Sequence, residues 1–508
     1  MSFKNYQIDL LTLMAVIDAE QHNECEFSNL ICKGIKEDSR EIKEGDLFVA
    51  RPGLESDGRR YISQAINKGA LAVLVEDFQV EQFVQTNLTT VPVFKASNLA
   101  DNLGLLAATF YQNPSKEVTV IGITGTNGKT TCAQMTAHVL EFMGHKTGVM
   151  GTMGNGRYGD LVPTSNTTLD AISVHEHMAN FRDQEMAYVV MEVSSHALDQ
   201  GRVNEVAFDL AAFTNLSRDH LDYHGDMISY ANAKKLLFKW PTLKHAVINA
   251  DDAIGIEILN ELDNEISRYS FSITAINAQE PDISIYTESV DFSDMGVRTE
   301  LVTPWQEIVL QTQLMGQFNL CNCLAVVTML GALDFPLDDV IKGIASMKPV
   351  AGRMECFGGK HSPLVVVDYA HTPDALKHAL NALKPHTQHR LWCIIGCGGD
   401  RDRGKRPQMA SIAEEYADYV VLTADNPRSE DVMDIINEMK QGLSPVSDSV
   451  IEPDRKQAIE TTITRAVVGD VVLVAGKGHE AYQHVGKERL PFSDVETVEQ
   501  LLEWGKWS

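Results

Sequence analysis

The sequence predicts an α/β protein of three units, and three observations predict it. Short apolar runs alternate with segments of helical spacing along most of the chain. One alternation carries a glycine-rich turn between a strand and a helix, VTVIGITGTNGKTT at 118–131. In the last third, four apolar runs each end in glycine and charged residues, the pattern of an open sheet with a ligand edge. The length agrees: 508 residues allow roughly three domains of about 150 each. A hydrophobic content of 44% is enough for sizeable cores.

Charge narrows the function. With 43 basic and 70 acidic residues the net charge is −27, which disfavours a general nucleic-acid binder. An anionic substrate must then be held by local cations and backbone donors. The first twenty residues carry acids inside their apolar stretch and no small-residue cleavage site, so they read as an amphipathic mature segment. No apolar run approaches a membrane span. The eight cysteines lack zinc-site spacing and read as reduced thiols, so a cytoplasmic protein is expected.

The first unit covers residues 1–98. The runs from Gly45 to Ala50 and from Ala70 to Val75 read as strands, and Ile62, Ala65 and Ile66 give a helical pattern between them. Ser39 and the loop around Gly53 can hold a polar ligand or be ordinary turn residues, and the sequence leaves both open.

The second unit covers residues 99–347. Val118 to Ile123 reads as a buried strand, and Met135, Val139 and Phe142 have helical spacing after the turn. This is the context of a phosphate-binding loop. Gly125 and Gly128 let the backbone bend around an anion, and the helix N-terminus adds its dipole. Lys129 can reach the β- and γ-phosphates, and the Thr130 hydroxyl can ligate Mg²⁺. Ile123 stands where the strict pattern has glycine. Further strands are expected near residues 146–150, 187–193, 210–214 and 246–248, which argues for a mostly parallel sheet. Glu192, at a strand end, sits where such folds hold Mg²⁺ or polarise a water. His220 follows a strand in a polar run and can ligate a second metal, although a lone histidine is more often structural. Lys234 and Lys235 lie on an expected helix, and composition alone makes both solvated. Residues 249–310 are polar and varied and show no chemistry.

The third unit covers residues 348–508. Its apolar runs end at Asp368, Gly396, Asp425 and Gly476, followed by His371, Asp400-Arg401, Asn426-Pro427-Arg428 and Lys477-Gly478-His479-Glu480. Ligands bind outside the carboxyl ends of strands in such sheets, so four loops on one edge make a site.

Taken together the chain resembles the Mur ligase family. The resembling segments include DSR at 38–40, DGRRYISQAI at 57–66, GITGTNGKTT at 122–131, MEVSSHALDQGR at 191–202 and FTNLSRDHLDYHGD at 213–226. In the last third they are GRME at 352–355, DYAHTPDAL at 368–376, GCGGDRDRGKRP at 396–407, DNPR at 425–428 and AGKGHE at 475–480. They run through all three units in the family's order, and Ile123 is the family's own departure.

The resemblance implies a small uridine-nucleotide-binding domain, a central phosphate-loop ATP-binding domain and a Rossmann-like C-terminal domain. It implies an ATP-dependent ligase, acting as a monomer. Its reaction joins meso-2,6-diaminopimelate to the D-glutamate γ-carboxylate of UDP-N-acetylmuramoyl-L-alanyl-D-glutamate through an acyl phosphate, in peptidoglycan precursor synthesis. Gly125, Thr126, Asn127, Gly128, Lys129, Thr130 and Thr131 are the implied ATP contacts, with Asn322, Arg353 and Asp368. Thr130 and Glu192 would hold Mg²⁺ and His220 a second ion, supported by Lys234 as a carbamate. Catalysis would fall to Lys129, Glu192, His220 and Lys234. Ser39, Leu54, Glu55, Ser56, Asn166, Thr167, Thr168, Ser194, Gln200 and Arg202 would contact the UDP substrate. Arg401, Asp425, Asn426, Pro427, Arg428, Gly476 and Glu480 would contact diaminopimelate. The position two before Ser39 is Glu37 in this sequence, and the resemblance does not carry a family contact over to it. The competing readings are a lysine-adding homologue and a phosphate-loop switch without ligase activity. A folate polyglutamate ligase shares the loop but not the DNPR and GKGHE runs.

Overall fold

The computed structural model of the protein describes residues 4–53, 56–84, 91–164, 166–274, 283–293, 296–347 and 354–504. Its contacts divide the chain into two compact units. The first runs to Ser272 and takes up Leu324–Gly343, and the second holds Tyr286–Cys323 and the chain from Ile344.

The first unit contains two parallel-rich sheets. In the N-terminal one the order is Glu20–Gln21, Val93–Ala96, Ala72–Glu76, Asp46–Ala50, Gly34–Lys36, parallel except at the first pair. Every residue of Asp46–Ala50 is buried, because one face packs on Leu10, Leu13 and the helix Leu99–Phe110 and the other on Ile62 and Ala65. A strand covered on both faces favours an unbroken apolar run, as Leu47 to Ala50 show, and the buried Asp46 at its start accepts from the Lys43 N–H at 2.8 Å.

The second sheet places the phosphate-loop strand Thr119–Thr124 between Tyr188–Glu192 and Leu210–Phe213, all parallel. Thr147–Gly151 lies beyond Tyr188–Glu192, and His245–Asn249 and Ser267–Ser272 continue the other side. The carboxyl ends of three adjacent strands therefore flank the glycine turn. The helix Lys129–Phe142 buries Met135, Val139 and Leu140, but Phe142 is half exposed. It is the last helical residue, so Leu140 closes the buried stripe instead.

In the second unit, Ile283–Ser293, Gly296–Val302 and Ile308–Thr312 form an antiparallel meander. The middle strand alternates buried and exposed positions, and this half-solvated face explains the polar composition of these three strands. The C-terminal sheet has the order Glu355–Gly358, Leu364–Asp368, Val471–Ala475, Leu391–Ile395, Tyr419–Leu422, Val450–Ile451. All pairs but the first are parallel, so the four expected loops do leave one edge. Helices Pro373–Leu383, Lys405–Tyr416 and Val432–Lys440 cover one face, and Arg455–Arg465 covers the other with Asp494–Trp504. No helix among the described residues is long and apolar enough to cross a membrane.

Candidate active site

The glycine turn is built by close approach. Gly125 has φ +146, and a Cβ there would lie 1.9 Å from the Thr214 hydroxyl oxygen. Gly128, at φ +86, opens the helix that begins with Lys129. The chain after Leu210–Phe213 pins the loop. Thr126 N–H donates to the Asn215 carbonyl at 2.8 Å, Asn127 N–H to the Asn215 side chain at 3.0 Å, and the Thr214 hydroxyl to the Asn127 carbonyl at 2.6 Å. Lys129 Nζ turns back onto the Gly125 and Thr126 carbonyls at 2.8 and 2.9 Å. Burial lowers its ammonium pKa, against the pull of Glu192 and Asp219. A triphosphate on the loop would offer this cation anionic oxygens in place of two carbonyls.

Thr130 and Glu192 meet directly. The Thr130 hydroxyl donates to the buried Glu192 carboxylate at 2.7 Å, and Thr152 N–H donates to its other oxygen at 2.8 Å. Burial nevertheless raises the Glu192 carboxyl. Two hard oxygen donors beside a phosphate loop suit Mg²⁺. Thr152 had no signal of its own in the sequence, since its partner is forty residues away.

Lys234 is buried, not solvated as composition suggested. Its Nζ donates to the Gly125 carbonyl at 2.8 Å and lies 4.6 Å from the Tyr230 ring centre. Burial, then the Lys129 cation, brings its pKa down to about 6, with Asp219 opposing. His220 caps the short helix Leu221–His224 with φ +52 and pairs with Asp219 at 3.4 Å. Its ring stands 4.9 Å from that of His196 and 6.0 Å from Tyr230. Tyr230 thus joins His220, Lys234 and, through a 3.1 Å hydroxyl contact with Thr126, the loop. No ready-made cluster of three His, Cys, Asp or Glu ligands occurs among the described residues. The neutral Lys234 amine is the group whose conversion to a carbamate would add oxygen donors beside His220. Lys235, also expected in solvent, is buried and pairs with Glu257 and Glu261.

Two cavities adjoin this region. One of about 560 Å³ is lined by Arg51, Gly53, Asn166, Asp170, Gln200 and Arg202 among others. Arg202 donates to the Gln200 side chain at 2.8 Å and to the Thr168 carbonyl at 3.0 Å. Thr168 in turn donates to the Glu192 carbonyl at 2.8 Å and lies 3.3 Å from the Ser194 hydroxyl. The Thr167 hydroxyl accepts from Thr152 at 3.0 Å. The second cavity, about 830 Å³, is lined by Glu37, Ser39, Ser56, Gln64 and Asp170 among others. Ser39 donates to Gln64 at 2.9 Å. Glu37 pairs with Arg51 at 2.6 Å, although burial raises its carboxyl. Leu54 and Glu55 lie outside the described residues.

In the second unit the strand-end loops interlock. Arg428, at φ +53, donates through Nη1 to the Gly399 carbonyl at 2.8 Å, and Gly399 N–H returns a bond to the Asn426 carbonyl at 2.9 Å. A Cβ on Gly398 would lie 2.8 Å from Arg428 Nη1 and 3.7 Å from Arg401 Cγ, so both arginines meet at this turn. Asn426 donates to Glu480 at 2.9 Å. Buried Asp425 faces Gly476, whose φ of +117 needs glycine, and Pro427 packs its carbonyl against Gly399. The hairpin Tyr482–Val485 and Glu488–Pro491 holds the Arg428 backbone: Arg428 N–H donates to the His484 carbonyl at 2.9 Å and Gly486 N–H to the Arg428 carbonyl at 2.7 Å. This hairpin had no sequence signal. Asp368 accepts from the Met354 and Ala370 N–H groups, both at 2.8 Å, and Asn322 donates to Asn319 at 3.4 Å. Both belong to the second unit, and Arg353 lies outside the described residues.

Family models match three successive stretches. They are the Mur ligase family catalytic domain over residues 32–111, the Mur ligase middle domain over 123–330 and the Mur ligase glutamate ligase domain over 352–478. A relative from Coxiella burnetii, UDP-N-acetylmuramoyl-L-alanyl-D-glutamate–2,6-diaminopimelate ligase, is 44% identical over 96% of this chain and 99% of its own. The chain belongs to the Mur ligase family. A Pseudomonas aeruginosa relative with the same name is 45% identical to this Mur ligase over 93% of the chain and 96% of its own. A solved structure titled as that ligase has a TM-score of 0.79 at 33% identity, covering 98% of this Mur ligase and 99% of that chain.

Proposed function

We propose that the chain is an ATP-dependent amide ligase joining meso-2,6-diaminopimelate to the D-glutamate γ-carboxylate of UDP-N-acetylmuramoyl-L-alanyl-D-glutamate, a step of peptidoglycan precursor synthesis. The observation that carries the choice of amino acid is the junction of Arg428, Asn426 and Glu480 at the strand ends. An arginine fork suits a carboxylate, and a carboxylate beside an amide suits an ammonium. Diaminopimelate has both at its distal end, whereas lysine has only the ammonium.

The chemistry follows from the parts. A carboxylate acylates poorly until the ATP γ-phosphoryl group is transferred to it. The amine then attacks the acyl phosphate, phosphate leaves and an amide forms. Lys129 and the helix N-terminus stabilise charge on the transferring group. Thr130 and Glu192 would hold one Mg²⁺, with His220 and a Lys234 carbamate supporting a second. Bound there, Mg²⁺ would neutralise phosphate charge. Gly125 to Thr131 would carry the nucleotide, with Asn322, Arg353 and Asp368 as further contacts. Ser39, Leu54, Glu55, Ser56, Asn166, Thr167, Thr168, Ser194, Gln200 and Arg202 would hold the UDP substrate. Arg401, Asp425 to Arg428, Gly476 and Glu480 would hold the amino acid. The domain division 1–98, 99–347 and 348–508 assigns one substrate to each part of a cytoplasmic, monomeric enzyme.

The test is phosphate release from ATP and the UDP-muramoyl-dipeptide with each amino acid at equal concentration. Diaminopimelate should drive it and lysine should not. Arg428→Ala should lower the preference about tenfold to a hundredfold, the worth of a charged hydrogen-bond pair. Equal use of lysine by the wild type overturns the assignment, and release without any amino acid favours the switch reading.

A further inference from the structure

Lys477 has no role in the function above, yet its ammonium sits at the centre of the proposed amino-acid site. The side chain is fully buried. Its Nζ lies 3.1 Å from Glu480 Oε2, 3.2 Å from Asn426 Oδ1 and 3.7 Å from Asp425 Oδ1. It stands between Gly476 and Gly478, both with positive φ, so the chain can turn this lysine inward. All three polar partners belong to the residues proposed to face the incoming amino acid. The Asp425 Oδ1 atom is buried with no hydrogen-bond partner among the described residues, and the Arg455 and Lys477 charges compensate it, with Lys477 Nζ 3.7 Å away.

The ammonium also fixes an amide. Asn426 Oδ1 accepts from Lys477 and from His484 N–H at 2.9 Å, so its NH₂ group must point the other way, where it donates to Glu480 Oε2 at 2.9 Å. Lys477 and Asn426 thus grip the same oxygen of Glu480 from two sides. The other carboxylate oxygen has no hydrogen-bond donor among the described residues and remains able to accept from a ligand.

We propose that Lys477 is a positioning residue for the incoming amino acid: its ammonium holds the Asn426 amide and the Glu480 carboxylate in the orientation that receives a distal ammonium group. The inference rests on the function proposed above. It separates two kinds of contact, since Lys477 never touches the substrate and acts through Glu480. Burial alone would raise the Glu480 carboxyl. The hydrogen bonds from Asn426 and Lys477, and the charges of Lys477 and Arg428, more than offset this and hold it below the usual range. The groups around Glu480 are Lys477 on its own loop, and Asp425, Asn426 and Arg428 on the neighbouring loop, with Arg455 and Asp494 beyond Asp425.

The experiment compares wild type, Lys477→Met and Lys477→Arg by steady-state kinetics for all three substrates across pH. Wild-type ligation of diaminopimelate comes first, and its absence overturns the functional reading. Given that activity, Lys477→Met should raise the KM for diaminopimelate at least about tenfold, the cost of a lost contact to a charged group, and leave the KM for ATP unchanged. The acid limb of kcat/KM for diaminopimelate should also move to higher pH, because Glu480 loses its nearest cation. Lys477→Arg keeps the charge for folding but cannot place its fork on the same two atoms. It should show the same selective rise in KM, and it decides the matter if Lys477→Met does not fold. An unchanged KM for diaminopimelate in the folded variants, or a fall in kcat alone with the pH profile intact, overturns the proposal.

Discussion

Lys234 illustrates how one residue changes meaning when its surroundings are known. Its Nζ and that of Lys129 both donate to the Gly125 carbonyl, and burial brings its pKa to about 6. At neutral pH the side chain is therefore mostly a neutral amine, which can add CO₂ and release a proton to form a carbamate; an ammonium cannot. Lys234→Ala should be nearly inactive and regain part of its activity with added short carboxylates. Wild-type activity should fall in CO₂-depleted buffer, more steeply as pH drops through about 6, and return with bicarbonate. Activity indifferent to CO₂ and an unrescued variant would contradict the carbamate. Lys129→Ala should abolish ligation by removing the cation that meets the β/γ-phosphates; near-normal turnover at saturating ATP would refute that role. In the sequence both lysines 234 and 235 read as solvated, because burial of a lysine is decided by what folds over it.

The phosphate loop is the element on which a single atom decides most. Gly125→Ala would put a methyl group 1.9 Å from the Thr214 hydroxyl, at a φ that L residues rarely adopt. Thr214 would have to release the Asn127 carbonyl, and the loop would lose its shape. The expected result is loss of ATP-dependent activity and a stability cost of about 1–3 kcal/mol, read by thermal denaturation. Gly144→Ala is the control: its φ is +89, but nothing lies within 4 Å of the added atom. It should cost less and leave activity intact, and equal effects from the two substitutions would refute the clash. This element was legible because a strand buried on both faces, a glycine turn and a helix start each leave a local mark. The meander of residues 286–312 was not, since a half-solvated strand with polar alternation resembles a loop. The hairpin that fixes Arg428 was missed for another reason. It works through backbone bonds to His484 and Gly486, which no side-chain pattern announces.

At the scale of the whole chain, a net charge of −27 sets a repulsive background. The candidate sites answer it with gathered cations: Lys129 with Lys234, Arg51 with Arg202, and Arg401 and Arg428 with Lys477. The imbalance was legible in composition, and the strand-end pattern already put Arg401 and Arg428 on one edge, but the pairing of Arg51 with Arg202 was not, because they come from distant stretches. The same charges make stability depend on pH in opposing ways. Burial raises Glu37 and Glu192, so their protonation adds stability as pH falls through their raised values. Glu430, lowered to about 2 chiefly by Arg406, contributes stability that is lost between about 4.5 and 2. His175 acts at higher pH. It is fully buried, its Nε2–H donates to the Asn204 carbonyl at 3.0 Å, and its Nδ1 has no partner among the described residues. Burial lowers its pKa from 6.5 to about 4. Between those values the unfolded chain binds a proton that the folded one refuses, so stability falls as pH falls through the window. His175→Gln keeps a donor for Asn204 and removes the titration. The difference in unfolding free energy between the variant and wild type cancels the carboxylates common to both. It should be constant above pH 6.5 and shift in the variant's favour by up to roughly 3 kcal/mol on going down to pH 4. Denaturant titrations at a series of pH values measure it, and a difference that stays flat across the window would show that His175 is protonated as readily in the folded protein as in the unfolded chain.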